Sequence, residues 1–123
     1  MGWAEMIILQ FLAVGAGGSI GAVLRWFLSN KMNQAGKFPA GTFLVNAAGS
    51  LLIGVIVGLQ LNMWITLFLV SGFAGGLTTF STLHKELLSL WSDRKRIFFI
   101  YLFSTYSVGI LFAAIGFMIG HNL

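Results

Sequence analysis

The side chains able to do chemistry in this chain are nearly all neutral hydrogen-bonding groups set among apolar ones. Between residues 72 and 83 the sequence reads Gly-Phe-Ala-Gly-Gly-Leu-Thr-Thr-Phe-Ser-Thr-Leu. Gly72, Gly75 and Gly76 each disfavour a helix by roughly 1 kcal/mol relative to alanine. The hydroxyls of Thr78, Thr79, Ser81 and Thr82 can bond nearby backbone groups in place of the helical ladder. Yet the stretch lies in a long apolar run, where a membrane helix is expected. In hydrocarbon, freed backbone polar groups persist only where they are buried in protein or line a cavity. A helix broken at mid-depth is therefore a candidate ion or substrate site.

Other polar residues fall within apolar segments. Asn46 offers two N–H donors and one acceptor, and interhelical bonding is its plainer role. Tyr101, Ser104, Thr105 and Ser107 follow later. Tyr101 and Thr105 are four residues apart and share a helix face. They could continue a polar track from the third apolar run, although back-bonding to its own helix is the commoner role of a lone Ser or Thr. Phe80 and Leu83 are three residues apart, and the positive edge of a phenylalanine ring can help solvate an anion.

The missing groups narrow the chemistry further. Glu5 begins the first apolar run, Glu86 sits near the end of the third and Asp93 lies in a loop, so no carboxylate is expected at mid-membrane. His84 and His121 are also near segment ends. Proton-coupled transport normally needs a buried carboxylate or histidine. There is no Ser-His-Asp arrangement, metal-ligand cluster or phosphate-binding loop, which argues against an enzyme. Amide, hydroxyl and aromatic-edge donors suit a small anion that must shed water and regain hydrogen bonds.

The elements that position these groups follow from composition. The chain has 123 residues, of which 58% are hydrophobic and 8% charged, and its mean hydropathy is +0.93. Soluble domains carry about 25% charged residues, so the chain reads as an integral membrane protein resident in a lipid bilayer. Cysteine is absent, which removes disulfides and thiolate chemistry. About 20 apolar residues cross a bilayer, and four spans qualify, near 6–28, 40–59, 63–90 and 97–120, forming a single domain. The first lacks a basic leader and a cleavage pattern, so it is expected to be a retained span. Residues 30–39 form a polar loop ending in the only proline, 60–62 a tight turn and 91–96 a short basic loop.

All seven Lys and Arg fall on one side: Lys31 and Lys37 in the first loop, Arg94, Lys95 and Arg96 in the third, and Arg25 and Lys85 in the helix ends that lead there. The positive-inside rule places the first and third loops in the cytoplasm and both termini outside. Charge of this kind reads as a topology signal and not as a nucleic-acid surface. Gly17 and Gly21, Gly54 and Gly58, and Gly116 and Gly120 are spaced four apart, which lets helix backbones approach closely. Four short helices enclose little interior, so the chain is expected to oligomerise.

Three segments carry a resemblance: Gly-Gly-Ser-Ile-Gly-Ala-Val-Leu-Arg at 17–25, Gly-Thr-Phe-Leu-Val-Asn-Ala-Ala-Gly at 41–49 and Gly-Phe-Ala-Gly-Gly-Leu-Thr-Thr-Phe-Ser-Thr at 72–82. Their order, placement and the chain length resemble the Fluc/CrcB fluoride channels. The resemblance implies a dimer of two four-helix subunits in opposite orientations, with fluoride pores along the interface, in a microbial plasma membrane. It implies a structural, untransported sodium ion held by backbone carbonyls matching Gly75 and Thr78. The pore residues it carries over are Asn46, Phe80, Ser81 and Thr82, with Tyr101 and Thr105 on the fourth span. Arg25 and Glu86 match positions with vestibule or structural roles.

Two features depart from the pattern. Leu83 stands in the pore series where a second phenylalanine is often found. The one-sided charge suits a fixed orientation, and hence a paralogous partner of opposite bias, more than a homodimer that inserts both ways. Two other readings are weighed: a small multidrug-type proton antiporter, which needs a mid-membrane glutamate absent from residues 6–28, and a non-conducting assembly subunit.

Overall fold

The computed structural model describes residues 2–33, 37–78 and 80–123, the side chains of Phe80 and Ser81 excepted. Its elements are α1 (Trp3–Met32), α2 (Ala40–Leu59), α3 (Met63–Thr66), a π-helical segment (Leu67–Ala74), α4 (Gly75–Leu77), α5 (Phe80–Asp93) and α6 (Lys95–His121). Taken together, Met63–Asp93 makes one crossing, so four helical stretches are long and apolar enough to span a membrane. No strand occurs among the described residues. The protein is an all-α, multi-pass membrane protein.

The connections are shorter than the polar stretches suggest. α1 runs on through Ser29, Asn30 and Lys31, and only Arg94 separates α5 from α6. Polar residues at the membrane surface can stay helical with their side chains in water, so polarity alone does not mark the helix end. The cation of Lys31 sits 4.6 Å from the centre of the Phe27 ring, and that of Lys95 sits 4.8 Å from the Trp91 ring. These are amphipathic pairings of the kind found at membrane interfaces.

Asn33 organises the first reversal. Its Oδ1 accepts from the backbone N–H groups of Gly41 at 2.7 Å and Thr42 at 3.3 Å. It thereby satisfies two of the donors that the start of α2 leaves open. At the second reversal, Asn62 caps α3 by accepting from the Ile65 N–H at 3.0 Å, while Gln60 turns the chain at φ 54°.

Backbone contact joins the helices in pairs. Gly17 and Gly21 of α1 face Gly72 and Gly76, so closely that a Cβ at any of the four would strike a carbonyl of the opposing helix. Gly54 and Gly58 of α2 meet Gly116 and Gly120 of α6 in the same way. The four-residue spacing keeps each set on one face. Side chains fill a separate core at the end where the lysines and arginines gather. There Leu83, Leu87 and Leu90 form a stripe on α5 against fully buried Tyr101, rimmed by Phe38, Phe43 and Phe98.

The break in the third crossing differs in detail from the sequence expectation. The glycines do not unravel the helix, because α1 packs directly on Gly72 and Gly76 and holds them. Instead the helix widens to π geometry, and the Gly75 N–H reaches back five residues to the Val70 carbonyl. Helical geometry stops after Leu77, at Thr78, whose backbone is extended at φ −81°, ψ 154°. The Thr78 N–H and hydroxyl both donate to the Ala74 carbonyl, at 2.9 and 2.8 Å.

Candidate functional site

Two polar regions flank the break. The first is an open groove of about 310 Å³ walled by α2, α5 and α6, in which Asn46, Ser50, Thr78, Thr105 and Tyr106 stand among Ile53, Leu83, Gly109 and Ile110. Asn46 and Ser50 share a face of α2, and the Ser50 hydroxyl donates to the Asn46 carbonyl at 2.9 Å. Leu83 is 5% exposed and belongs at once to the groove and to the apolar stripe of α5. A leucine here thus continues the packing of Leu87 and Leu90 where an aromatic ring would have entered the groove.

One turn before Thr105, Tyr101 is wholly buried, with its ring edge-on to Phe38 at 5.2 Å between centres. The hydroxyls of Tyr101 and Thr105 are both buried without a full hydrogen bond from the protein. The Tyr101 hydroxyl lies near the Thr42 hydroxyl and the Glu86 carboxylate but meets neither in bonding geometry. Leaving such groups unsatisfied costs about 1–3 kcal/mol each. They are donors available to a visiting acceptor.

The second region lies towards the basic end. The Thr42 hydroxyl donates to Glu86 Oε1 at 2.7 Å and accepts from Asn33 Nδ2 at 3.0 Å. Glu86 thus faces the first turn of α2, where the helix dipole favours negative charge. One turn earlier on α5, Arg25 Nη1 donates to the Thr82 hydroxyl at 3.0 Å. These bonds tie the end of α1, the start of α2 and α5 together.

Gly75 differs from its neighbours. While Gly72 and Gly76 are pressed on α1, Gly75 is exposed, and a Cβ there would meet only the Val70 carbonyl at 3.6 Å. Gly75 and Thr78 stand at the end of α4, where carbonyls lack N–H partners ahead of them in the same helix. Hard monovalent cations accept such ligands. Among the described residues no group of three acidic, histidine or cysteine side chains could hold a metal.

The groove therefore unites Asn46, Thr78, Leu83 and Thr105, with Tyr101 one turn away, while Thr82, Arg25 and Glu86 belong to the basic end. The side chains of Phe80 and Ser81, expected as pore residues, lie outside the described residues, as does Thr79. Ser104 bonds back to the Ile100 carbonyl and is not part of the groove. Sequence reasoning missed Asn33, Thr42, Ser50 and Tyr106. Ser50 could have been found from its position one turn after Asn46. Asn33 could not, because its partners lie across a loop.

A sequence model of the CrcB-like proteins, described as "CrcB-like protein, Camphor Resistance (CrcB)", matches residues 12–117. The chain belongs to the CrcB family. The matched CrcB segment contains every residue of the groove and of the basic-end network. Among curated CrcB relatives, "Fluoride-specific ion channel FluC 1" of Listeria monocytogenes is 41% identical over 117 residues, covering 93% of this chain and 99% of its own. The protein of the same name in Staphylococcus saprophyticus is 43% identical over 112 residues, 87% of this chain and 93% of its own. "Fluoride-specific ion channel FluC 2" of Bacillus cereus is 40% identical over 116 residues, 92% of this chain and 98% of its own.

Proposed function

We propose that this chain is a passive, fluoride-specific channel subunit that lets fluoride leave the cell and so limits its toxicity. The observation that carries the reading is the groove itself. Asn46, Ser50, Thr78 and Thr105 line it with neutral polar groups, and among the described residues no acidic or histidine side chain lines it. Fluoride entering it would exchange water for hydrogen bonds from the Asn46 amide and from hydroxyls, including the buried ones of Thr105 and Tyr101. Ser81 and the ring edge of Phe80 are assigned to the same path from the resemblance, and Thr82 to its basic end. With no proton carrier along the groove, movement follows the electrochemical gradient. A negative cell interior drives an anion outward with about 2.3 kcal/mol per charge per 100 mV.

The groove is open on one side, and the amide and hydroxyl groups along it would go unsatisfied against hydrocarbon. A second subunit in the opposite orientation is the natural cover, and it would bring the exposed Gly75 turns of both subunits together. The family's sodium ion fits there, held by the backbone carbonyls of Gly75 and Thr78, where it would tie the broken helices together without being transported. One-sided charge favours a paralogous partner of opposite bias, with loops one and three in the cytoplasm and the termini outside the plasma membrane. Relatives whose names are numbered FluC 1 and FluC 2 fit such pairing. The test is fluoride release from loaded liposomes with and without a pH gradient. Release unaffected by the gradient and sharply reduced by Asn46→Leu is expected; release that requires the gradient would exclude a passive channel.

A further inference from the structure

A second groove, of about 350 Å³, opens between α5 and α6 at the basic end and is lined by His84, Leu87, Leu88, Trp91 and Phe98. Residues 84, 87, 88 and 91 have the spacing of a single helix face, which extends about 10 Å along α5. Trp91 lies two residues before the end of α5 at Asp93, so the groove starts at the membrane surface and runs two turns inward. Its apolar wall is uncovered, with Leu88 62% and Trp91 47% exposed. The wall is also held in place. Trp91 meets Phe98 and Phe99 edge-on, at 5.0 and 6.1 Å between ring centres.

The charge at the mouth of this groove is of one sign. The Lys95 cation stands 4.8 Å from the centre of the Trp91 ring, and Lys85, Lys95 and Arg96 are all exposed. The two acids of this end are engaged elsewhere. Glu86 accepts from the Thr42 hydroxyl, and Asp93 borders a separate recess with Ser89, Leu90 and Arg94. An occupant of an apolar channel with a cation at its surface end needs an apolar chain and a negative head. Basic clusters beside membrane helices recognise acidic headgroups in this way, and a lysine stem lying on an aromatic ring holds its cation at headgroup level. We infer that the groove binds an anionic phospholipid, with an acyl chain along Leu87, Leu88, Trp91 and Phe98 and the phosphate at Lys95. A zwitterionic lipid offers the same chain but a compensated head, so charge selects between them. The lipid braces α5 against α6 where only Arg94 separates them. The site is independent of which ion the channel passes.

The experiment follows quenching of Trp91 fluorescence in the full chain reconstituted in phosphatidylcholine vesicles. Trp3, Trp26 and Trp64, which are 78%, 65% and 37% exposed, are replaced by phenylalanine, as is any tryptophan a partner subunit brings. Brominated phosphatidylglycerol and brominated phosphatidylcholine are added in graded amounts. Half-quenching is expected at a mole fraction about fivefold lower for phosphatidylglycerol, the share of one basic side chain near anionic lipid. Lys95→Gln should abolish that preference and Lys95→Arg should keep it. Lys31→Gln removes the same charge from beside Phe27 on α1 and should leave the preference unchanged. Equal quenching by the two lipids overturns the site, a comparison that needs no substitution at Lys95. An equal loss of preference in Lys31→Gln also overturns it, because diffuse surface charge then suffices. Quenching by neither lipid overturns it as well, and assigns the groove to a partner subunit.

Discussion

The two kinds of helix contact in this molecule are built on opposite rules. Along the glycine seams, backbone meets backbone and there is no room for a methyl group, let alone an ion. Around the groove, the space bordered by α2, α5 and α6 is lined by amide and hydroxyl groups set among the apolar side chains of Ile53, Leu83 and Ile110. The difference assigns labour. Seams without side chains have few rotamers to rearrange and supply a rigid frame, whereas the groove keeps hydrogen-bonding capacity in reserve. Gly72, Gly75 and Gly76 show both rules within five residues: the first and last build a seam, and the middle one is left open at the break.

The largest effect is expected at the seam. Gly76→Ala places a methyl group on the Gly18 carbonyl, with no flexible side chain to yield, and should cost about 3 kcal/mol, read as a drop in melting temperature and in recovery of folded protein. If it folds as well as the unaltered chain, the seam is not rigid. At the basic end, Thr42→Val removes the donor to Glu86 and the acceptor of Asn33. A loss of about 2 kcal/mol is expected from the groups left unmade, seen in thermal unfolding.

The groove should respond the other way. Thr105→Val removes a buried hydroxyl that has no protein partner, so stability should hold or rise by up to about 1 kcal/mol while fluoride flux falls about tenfold. Loss of stability with flux intact would mean that the hydroxyl serves packing. The smallest effect is expected at Gly18→Ala, where the nearest opposing atom is the Gly72 carbonyl at 3.7 Å and the change should stay within about 0.5 kcal/mol.

Much of this frame is legible in the sequence. Four apolar spans, the small-residue spacing and the one-sided charge each follow from a short-range rule, and Asn46, Tyr101 and Thr105 are conspicuous as polar residues at membrane depth. What the sequence does not carry is direction. A glycine that packs and a glycine that opens are the same letter, so the sequence spreads the break over residues 72–83, whereas Gly72 and Gly76 are held helical by α1 and the helix stops at Thr78 within that stretch. Helix ends at the membrane surface are blurred because polar residues there continue the helix, as 29–32 do. The Asn33–Thr42–Glu86 chain is hidden because each partner lies on a different element. Leu83 reads as a missing ring in a pore, yet its place in the stripe with Leu87 and Leu90 depends on how α5 is turned against α6.

The central claim is that the open polar groove is half of a fluoride path that a partner subunit completes. The most direct measurement is fluoride release, followed with a fluoride electrode, from liposomes holding this chain alone and holding it together with a CrcB relative of opposite charge bias. Rapid, chloride-excluding release from the paired liposomes and little from the chain alone is the expected result. Robust release from the chain alone would contradict the need for a distinct partner, and no release from either preparation would contradict the fluoride path itself.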